Sequence, residues 1–203
     1  MLKIKDKLKI PKPSPAEVLK YLKEWSRLDD YVYGDRSLEM LFKKYPLNNN
    51  LHEILIKVCA LDALYGAGVR FSGYLNVARH IKNLKIDSDL KENDLKFVNK
   101  IALIKTGNKK RNLYSFATKY CSFHKLTIYP IYDYYVEKVL IHFGKIDKFD
   151  NFSREDLRDY FKYRDIILKF ISFYNLNNFN LKQIDQYLFL LGKKYFQKNY
   201  KKK

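Results

Sequence analysis

An all-α fold follows from three observations on this chain. Apolar residues recur at three- and four-residue spacing along most of its length, capping signals open several of those stretches, and no long alternating strand pattern occurs. The sequence therefore predicts a two-lobed helical bundle around a central cleft. Ser14-Pro15-Ala16-Glu17 combines an N-cap serine, a proline at the first helical position and a glutamate three residues on, so a first helix starts here and runs to about Leu28. Asp29 to Asp35, with Gly34, reads as a connection. A second helix covers about Ser37 to Lys44 and stops at Pro46, and Asn50 with Glu53 caps a third that reaches Tyr65.

Gly66-Ala67-Gly68 breaks that helix, and Phe71 to Asn83 resumes helical spacing, giving a helix, glycine elbow and helix near the centre of the chain. A further helix runs from about Asp94 to Leu103. Thr106-Gly107-Asn108-Lys109-Lys110-Arg111 then forms a polar, basic hairpin before a helix over Leu113 to His124. Pro130 sits just ahead of a helix that begins near Asp133, whose carboxylate falls where exposed amides and the helix dipole stabilise an anion. Two longer helices close the chain: Arg154 to Tyr174 behind Ser153 and Asp156, and Leu181 to about Lys198 behind Asn180 and Gln183. Phe161, Ile166, Ile167, Phe170, Ile171, Phe173 and Tyr174 read as the core face of the first of these.

With 203 residues and 47% hydrophobic content, the chain can bury one full core. We divide it into a basic tail over 1–13, one helical domain over 14–198 and a basic tail over 199–203. No apolar run approaches the roughly 20 residues that span a bilayer, and the Lys-alternating start from Met1 to Ile10 lacks the apolar core of a secretory signal. A cytoplasmic protein without membrane contact is expected. Cys59 and Cys121 lie among apolar neighbours and read as reduced core thiols. His52, His80, His124 and His142 show no paired spacing and no companion cysteines, so no metal site is readable.

The net charge of +18, from 40 Lys and Arg against 22 Asp and Glu, attracts a polyanion, and nucleic acid is the obvious one. A chain rich in Lys, Asn, Ile, Tyr and Phe also arises from AT-rich coding without selection for binding. Concentration of the charge at both ends favours function: Lys3, Lys5, Lys7, Lys9 and Lys12, then Lys193, Lys194, Lys198, Lys201, Lys202 and Lys203.

Ser115 to Leu140 is the stretch that points to chemistry. Lysine at its ordinary pKa is protonated and not nucleophilic, but desolvation or a neighbouring cation activates it. Lys119 lies in Phe116-Ala117-Thr118-Lys119-Tyr120-Cys121, where an uncompensated ammonium is costly, and Ser115 stands one turn earlier on the same face. Taken singly, Lys119 also fits a lysine that snorkels along an apolar face, and Asp133 a plain N-cap.

The order of basic hairpin, helix with Lys, loop with Pro and helix with Asp resembles the helix-hairpin-helix DNA glycosylases. Tyr129-Pro130-Ile131-Tyr132-Asp133-Tyr134-Tyr135-Val136 is similar to the Pro-x-x-Asp-x-x-Val segment of adenine and thymine-glycol glycosylases, and Phe116-Ala117-Thr118-Lys119 to the Phe-x-x-Lys of the archaeal 8-oxoguanine branch. The resemblance implies a Schiff-base nucleophile at Lys119 and an activating or charge-stabilising carboxylate at Asp133. It implies double-stranded DNA with one base flipped out as the partner and no cofactor; a monomer is expected. Tyr65, Arg70 and Phe71 around the elbow stand where the family inserts a wedge into the duplex.

Two departures alter what carries over. Lys109-Lys110-Arg111 occupies the place of the family's second hairpin glycine, which shifts phosphate contact from backbone amides to side chains. The interval from Lys119 to Asp133 is one helical turn short of the commoner spacing, and counting that spacing back lands on Ser115, where the single-function adenine enzymes carry serine. In that register water attacks and only the glycosidic bond breaks. Two competing expectations are a non-catalytic helical DNA-binding module and a nuclease or phage-defence effector on the same fold, though no carboxylate cluster for magnesium is readable.

Overall fold

The computed structural model describes residues 10–107 and 109–196. Within them the chain forms ten α-helices and one small antiparallel sheet: α1 (Pro15–Trp25), α2 (Asp29–Lys44), α3 (Leu51–Tyr65), α4 (Tyr74–Leu84), α5 (Asp87–Glu92), α6 (Lys96–Ala102), β1 (Leu103–Thr106), β2 (Lys109–Asn112), α7 (Tyr114–His124), α8 (Tyr134–Ile146), α9 (Tyr160–Phe173) and α10 (Leu181–Tyr195). Local chemistry explains several starts. The Ser14 hydroxyl accepts the Glu17 N–H at 3.3 Å, and Asn180 with Gln183 forms a reciprocal capping box at the head of α10. Asp133 heads α8 by accepting the Tyr135 N–H at 2.9 Å.

One continuous core joins the elements. The first and last helices meet, because α10 packs along both α1 and α8, while α7 packs against α6, α2 and α3. Gly192 makes the α8 contact possible: a Cβ there would stand 2.6 Å from the Tyr135 carbonyl oxygen, so the α10 backbone lies directly on the first turn of α8. A second fastening is Lys57, fully buried, whose amine donates to the Tyr45 and Leu47 carbonyls and to Asn48 Oδ1 at 2.9–3.0 Å. Tyr120 donates to the same Asn48 oxygen at 2.6 Å, which ties the α2–α3 loop to α7. Burial lowers the Lys57 amine to about 8.

The basic hairpin is a β-ribbon, with Leu103 opposite Asn112 and Thr106 opposite Lys109. Gly107 turns it at φ +58, a left-handed conformation that favours glycine. Several boundaries differ from the sequence reading. Asp29 to Asp35 is not a connection but the start of α2, since a mid-helix glycine costs only about 1 kcal/mol and Gly34 packs beside Leu64. After the elbow a 3-10 turn covers Val69–Ser72, and α4 begins only past Gly73. The helix expected from Asp94 spans Lys96–Ala102, with Leu103 given to the ribbon. α5 was not anticipated.

The helix expected from Arg154 begins at Tyr160. Ser153 and Asp156 bond each other around a 3-10 turn, Asp156–Arg158, while Asp159 caps α9 through the amides of Phe161 and Lys162. Phe161 is 67% and Phe173 45% exposed, so neither belongs to the core face, which runs through Tyr160, Tyr163, Ile167, Phe170 and Ile171. Cys121 is buried and Cys59 half-buried, both unpaired thiols. Lys3, Lys5, Lys7, Lys9, Lys198, Lys201, Lys202 and Lys203 lie outside the described residues. Within them, Lys12 pairs with Asp147 at 3.7 Å and Lys193 donates to the Tyr31 hydroxyl at 2.6 Å. No helix of the described residues is long and apolar enough to cross a membrane.

Candidate active site

Enclosure of α7 buries a run from Phe116 to Phe123, and with it Lys119, whose exposure is 3%. The Lys119 amine donates to Ser115 Oγ at 2.5 Å and to the Tyr132 carbonyl at 3.5 Å, and lies 3.7 Å from Asp133 Oδ2. It also faces the Tyr65 ring, 5.8 Å from the centroid. A lone buried ammonium is costly, and these contacts are the compensation.

The loop that delivers Asp133 is fixed at consecutive carbonyls. Tyr160 donates to Pro130 O at 3.0 Å, Tyr163 to Ile131 O at 2.5 Å, and Ser115 to Tyr132 O at 3.1 Å. The Tyr132 N–H in turn donates to Thr118 Oγ1 at 3.0 Å, so α7 holds both backbone groups of that residue. The Tyr132 hydroxyl donates to the fully buried Glu137 carboxylate, which also accepts from Arg154 at 2.8 Å and Arg158 at 3.3 Å. Asp133 divides its oxygens: Oδ1 caps α8 and Oδ2 faces Lys119.

Lys119 and Asp133 line one end of a cavity of about 220 Å³. Trp25, Tyr31, Leu64, Tyr65 and Phe189 give it apolar walls, while Asp30, Asp35 and Asp185 add carboxyls. Asp35 is bound by Lys182 at 2.9 Å and Gln186 at 3.3 Å, and accepts from the Tyr65 hydroxyl. Asp185 differs: it is 8% exposed and its Oδ1 is buried without a hydrogen-bond partner. An unsatisfied buried polar atom costs about 1–3 kcal/mol. Burial pushes this carboxyl up to about 7; Lys182 and Lys119 pull against the shift, and Asp35 and Asp133 add to it.

The structure thus brings Ser115, Lys119 and Asp133 together. Lys109, Lys110 and Arg111 lie exposed on β2. The three elbow residues part company: Tyr65 is tied into the cavity wall, whereas Arg70 and Phe71 are exposed, with the guanidinium 4.7 Å over the ring. Sequence reasoning missed Asp35, Lys182 and Asp185. A signal for the last was available, because Asp185 stands on the stripe Leu181, Ile184 and Leu188, where an apolar residue is expected. Among the described residues no group of three or more His, Cys, Asp or Glu is arranged to hold a metal ion.

No solved structure matches this chain. An uncharacterised protein of Haemophilus influenzae is 45% identical over 124 residues, which cover 61% of this chain and 59% of that protein, so the chain spans about three-fifths of the relative's length. A family model described as an N-terminal domain, HI_0787_N, matches residues 17–128. That span runs from α1 through α7, taking in Ser115 and Lys119 and stopping short of Asp133 and Asp185. The chain belongs to the HI_0787_N family.

Proposed function

We propose that the chain is a DNA glycosylase with lyase activity, in which Lys119 attacks the sugar of a damaged or modified nucleotide and Asp133 assists. The carrying observation is the 3.7 Å approach of Asp133 Oδ2 to a lysine amine at 3% exposure, on the wall of a cavity. The deprotonated amine forms a bond to C1′ as the glycosidic bond breaks, and the electron pair leaves with the base, which then takes a proton. Asp133 accepts the proton shed by the attacking nitrogen, or balances positive charge on the sugar. The nitrogen lone pair then expels O4′, which takes up a proton as the sugar ring opens, giving a protonated Schiff base; loss of a proton from C2′ expels the 3′-phosphate and cuts the strand.

The fit of the pair supports this reading over a helical module that only grips phosphates, since phosphate binding gives no reason to bury an amine beside a carboxylate. Borohydride trapping on a duplex with one abasic site tests it. Wild type forms a covalent adduct, and Lys119→Gln forms none. Salt-sensitive binding without any adduct or base release overturns the reading. Base release without an adduct assigns the single-function register, with water as attacker.

A further inference from the structure

The cavity has a second wall, formed by α10, that the attack on the sugar does not use. Asp185 sits there with a buried oxygen that nothing in the protein satisfies, on a helix stripe otherwise apolar. Around it are rings: Trp25 and Tyr31 stack at 5.0 Å, and Phe189 stands edge-on to both at 6.1 and 5.7 Å. A volume of about 220 Å³ falls below the roughly 300–1,000 Å³ of sites for drug-sized ligands and suits one planar heterocycle.

We propose that this cavity receives a single nucleobase and that Asp185 reads the base's hydrogen-bonding edge. The proposal rests on Lys119 and Asp133 as the pair that attacks the sugar, since the base then enters the space beyond them. A neutral carboxyl offers a donor and an acceptor side by side. It matches a ring nitrogen next to an amino group, as in adenine and cytosine, or a ring N–H next to a carbonyl, as in guanine and uracil. The anion only accepts, and it matches edges with two adjacent donors, as guanine has.

The groups facing Asp185 are Lys182 on its own helix, Asp35 on α2, Tyr65 on α3, Lys119 on α7, Asp133 at the head of α8 and Tyr163 on α9. Burial raises the Tyr65 and Tyr163 hydroxyls well above the ordinary tyrosine range, so neither ionises near neutrality. With Asp185 titrating at about 7, its protonated fraction falls roughly tenfold between pH 6 and pH 8. Binding of an adenine- or cytosine-type edge falls with it.

Trp25, the single tryptophan of the chain, lines the cavity, so its fluorescence reports occupancy. The full chain is titrated at pH 6 and pH 8 with 9-methyladenine, 9-methylguanine, 1-methylcytosine and 1-methyluracil. Saturable quenching by at least one of the four is expected, weakened about tenfold by Asp185→Leu. For an adenine or cytosine probe, wild type loses affinity at pH 8, and the isosteric Asp185→Asn does not. No saturable quenching by any probe overturns the proposal, as does quenching that Asp185→Leu leaves unchanged. Borohydride trapping run alongside separates the two failures. An adduct without quenching leaves the sugar-attacking pair standing and removes Asp185, while quenching without an adduct does the reverse.

Discussion

Lys119 donates to Ser115 across one helical turn at 2.5 Å, and the Ser115 hydroxyl donates in turn to the Tyr132 carbonyl at 3.1 Å. The two spacings that the sequence offers as alternatives therefore meet in one hydrogen-bonded chain. Ser115 orients the amine, and a hydroxyl at this position does not exclude a lysine nucleophile. Ser115→Ala should slow adduct formation on an abasic duplex by about tenfold without abolishing it, and lower stability by about 1 kcal/mol. Complete loss of the adduct with the fold intact would show that the serine acts directly on the substrate.

Asp133→Asn separates capping from chemistry. Asparagine is as good an N-cap as aspartate, so the Tyr135 amide stays satisfied, and the melting temperature should fall only through the charge lost beside the buried Lys119 amine, by about 2–4 °C for each 1 kcal/mol. The charge beside Lys119 is lost, and single-turnover trapping should fall by about 10²–10⁴.

Asp185 links stability to pH. Its folded-state pKa of about 7 exceeds the unfolded value of about 3.9, so the folded protein holds the proton more tightly. The resulting stability is complete below pH 3.9, is lost as pH rises through about 7, and is flat above. The loss is on the order of 4 kcal/mol. Chemical denaturation of wild type and Asp185→Asn at several pH values should show the variant's relative stability growing from pH 4 to 7 and then levelling. A difference that does not vary with pH would place this carboxyl in the ordinary range.

Gly192→Ala sets two effects against each other. Alanine favours a helix by about 1 kcal/mol over glycine. At Gly192, however, the new methyl meets Tyr135 backbone atoms at 2.6–2.9 Å, and backbone gives way less readily than a side chain. Overpacking at about 1–3 kcal/mol should win, lowering the melting temperature and, because Tyr135 follows Asp133 closely, the trapping rate. Thermal unfolding beside single-turnover trapping checks both.

The hairpin supplies charge without chemistry. Replacing Lys109, Lys110 and Arg111 together by alanine should reduce the slope of log affinity against log salt by about 2–3 on duplex DNA. Trapping at saturating protein and low salt should stay near the wild-type rate. An unchanged slope would show that DNA approaches from another face.

What the sequence revealed depended on how local the cause was. Ser14, Asn180 and Asp133 were legible as caps because each acts on an amide within three residues. Lys119 with Asp133 was legible because both lie in one stretch joined by a single loop. Gly34 misled, because its cost inside α2 is only about 1 kcal/mol and α2 gains its packing from α3, a different helix. Phe161 misled because it stands one residue, about 100° of helix, away from the buried Tyr160. Asp185 was legible only as a polar residue on an apolar stripe: the groups around it come from α2, α3, α7, α8 and α9, and no short window contains them.

The grip of α7 on both backbone groups of Tyr132 has a mechanical side. It sets the Lys119 to Asp133 geometry largely within one short, self-braced stretch, which α10 touches where Gly192 meets Tyr135. Lys119 and Asp133 are thus braced through α7, while the wall bearing Asp185 comes from a separate helix. On the proposed function, substitutions along α10 away from Gly192 would reshape which guest is admitted with less effect on the attack, so selectivity would be freer to drift than reactivity.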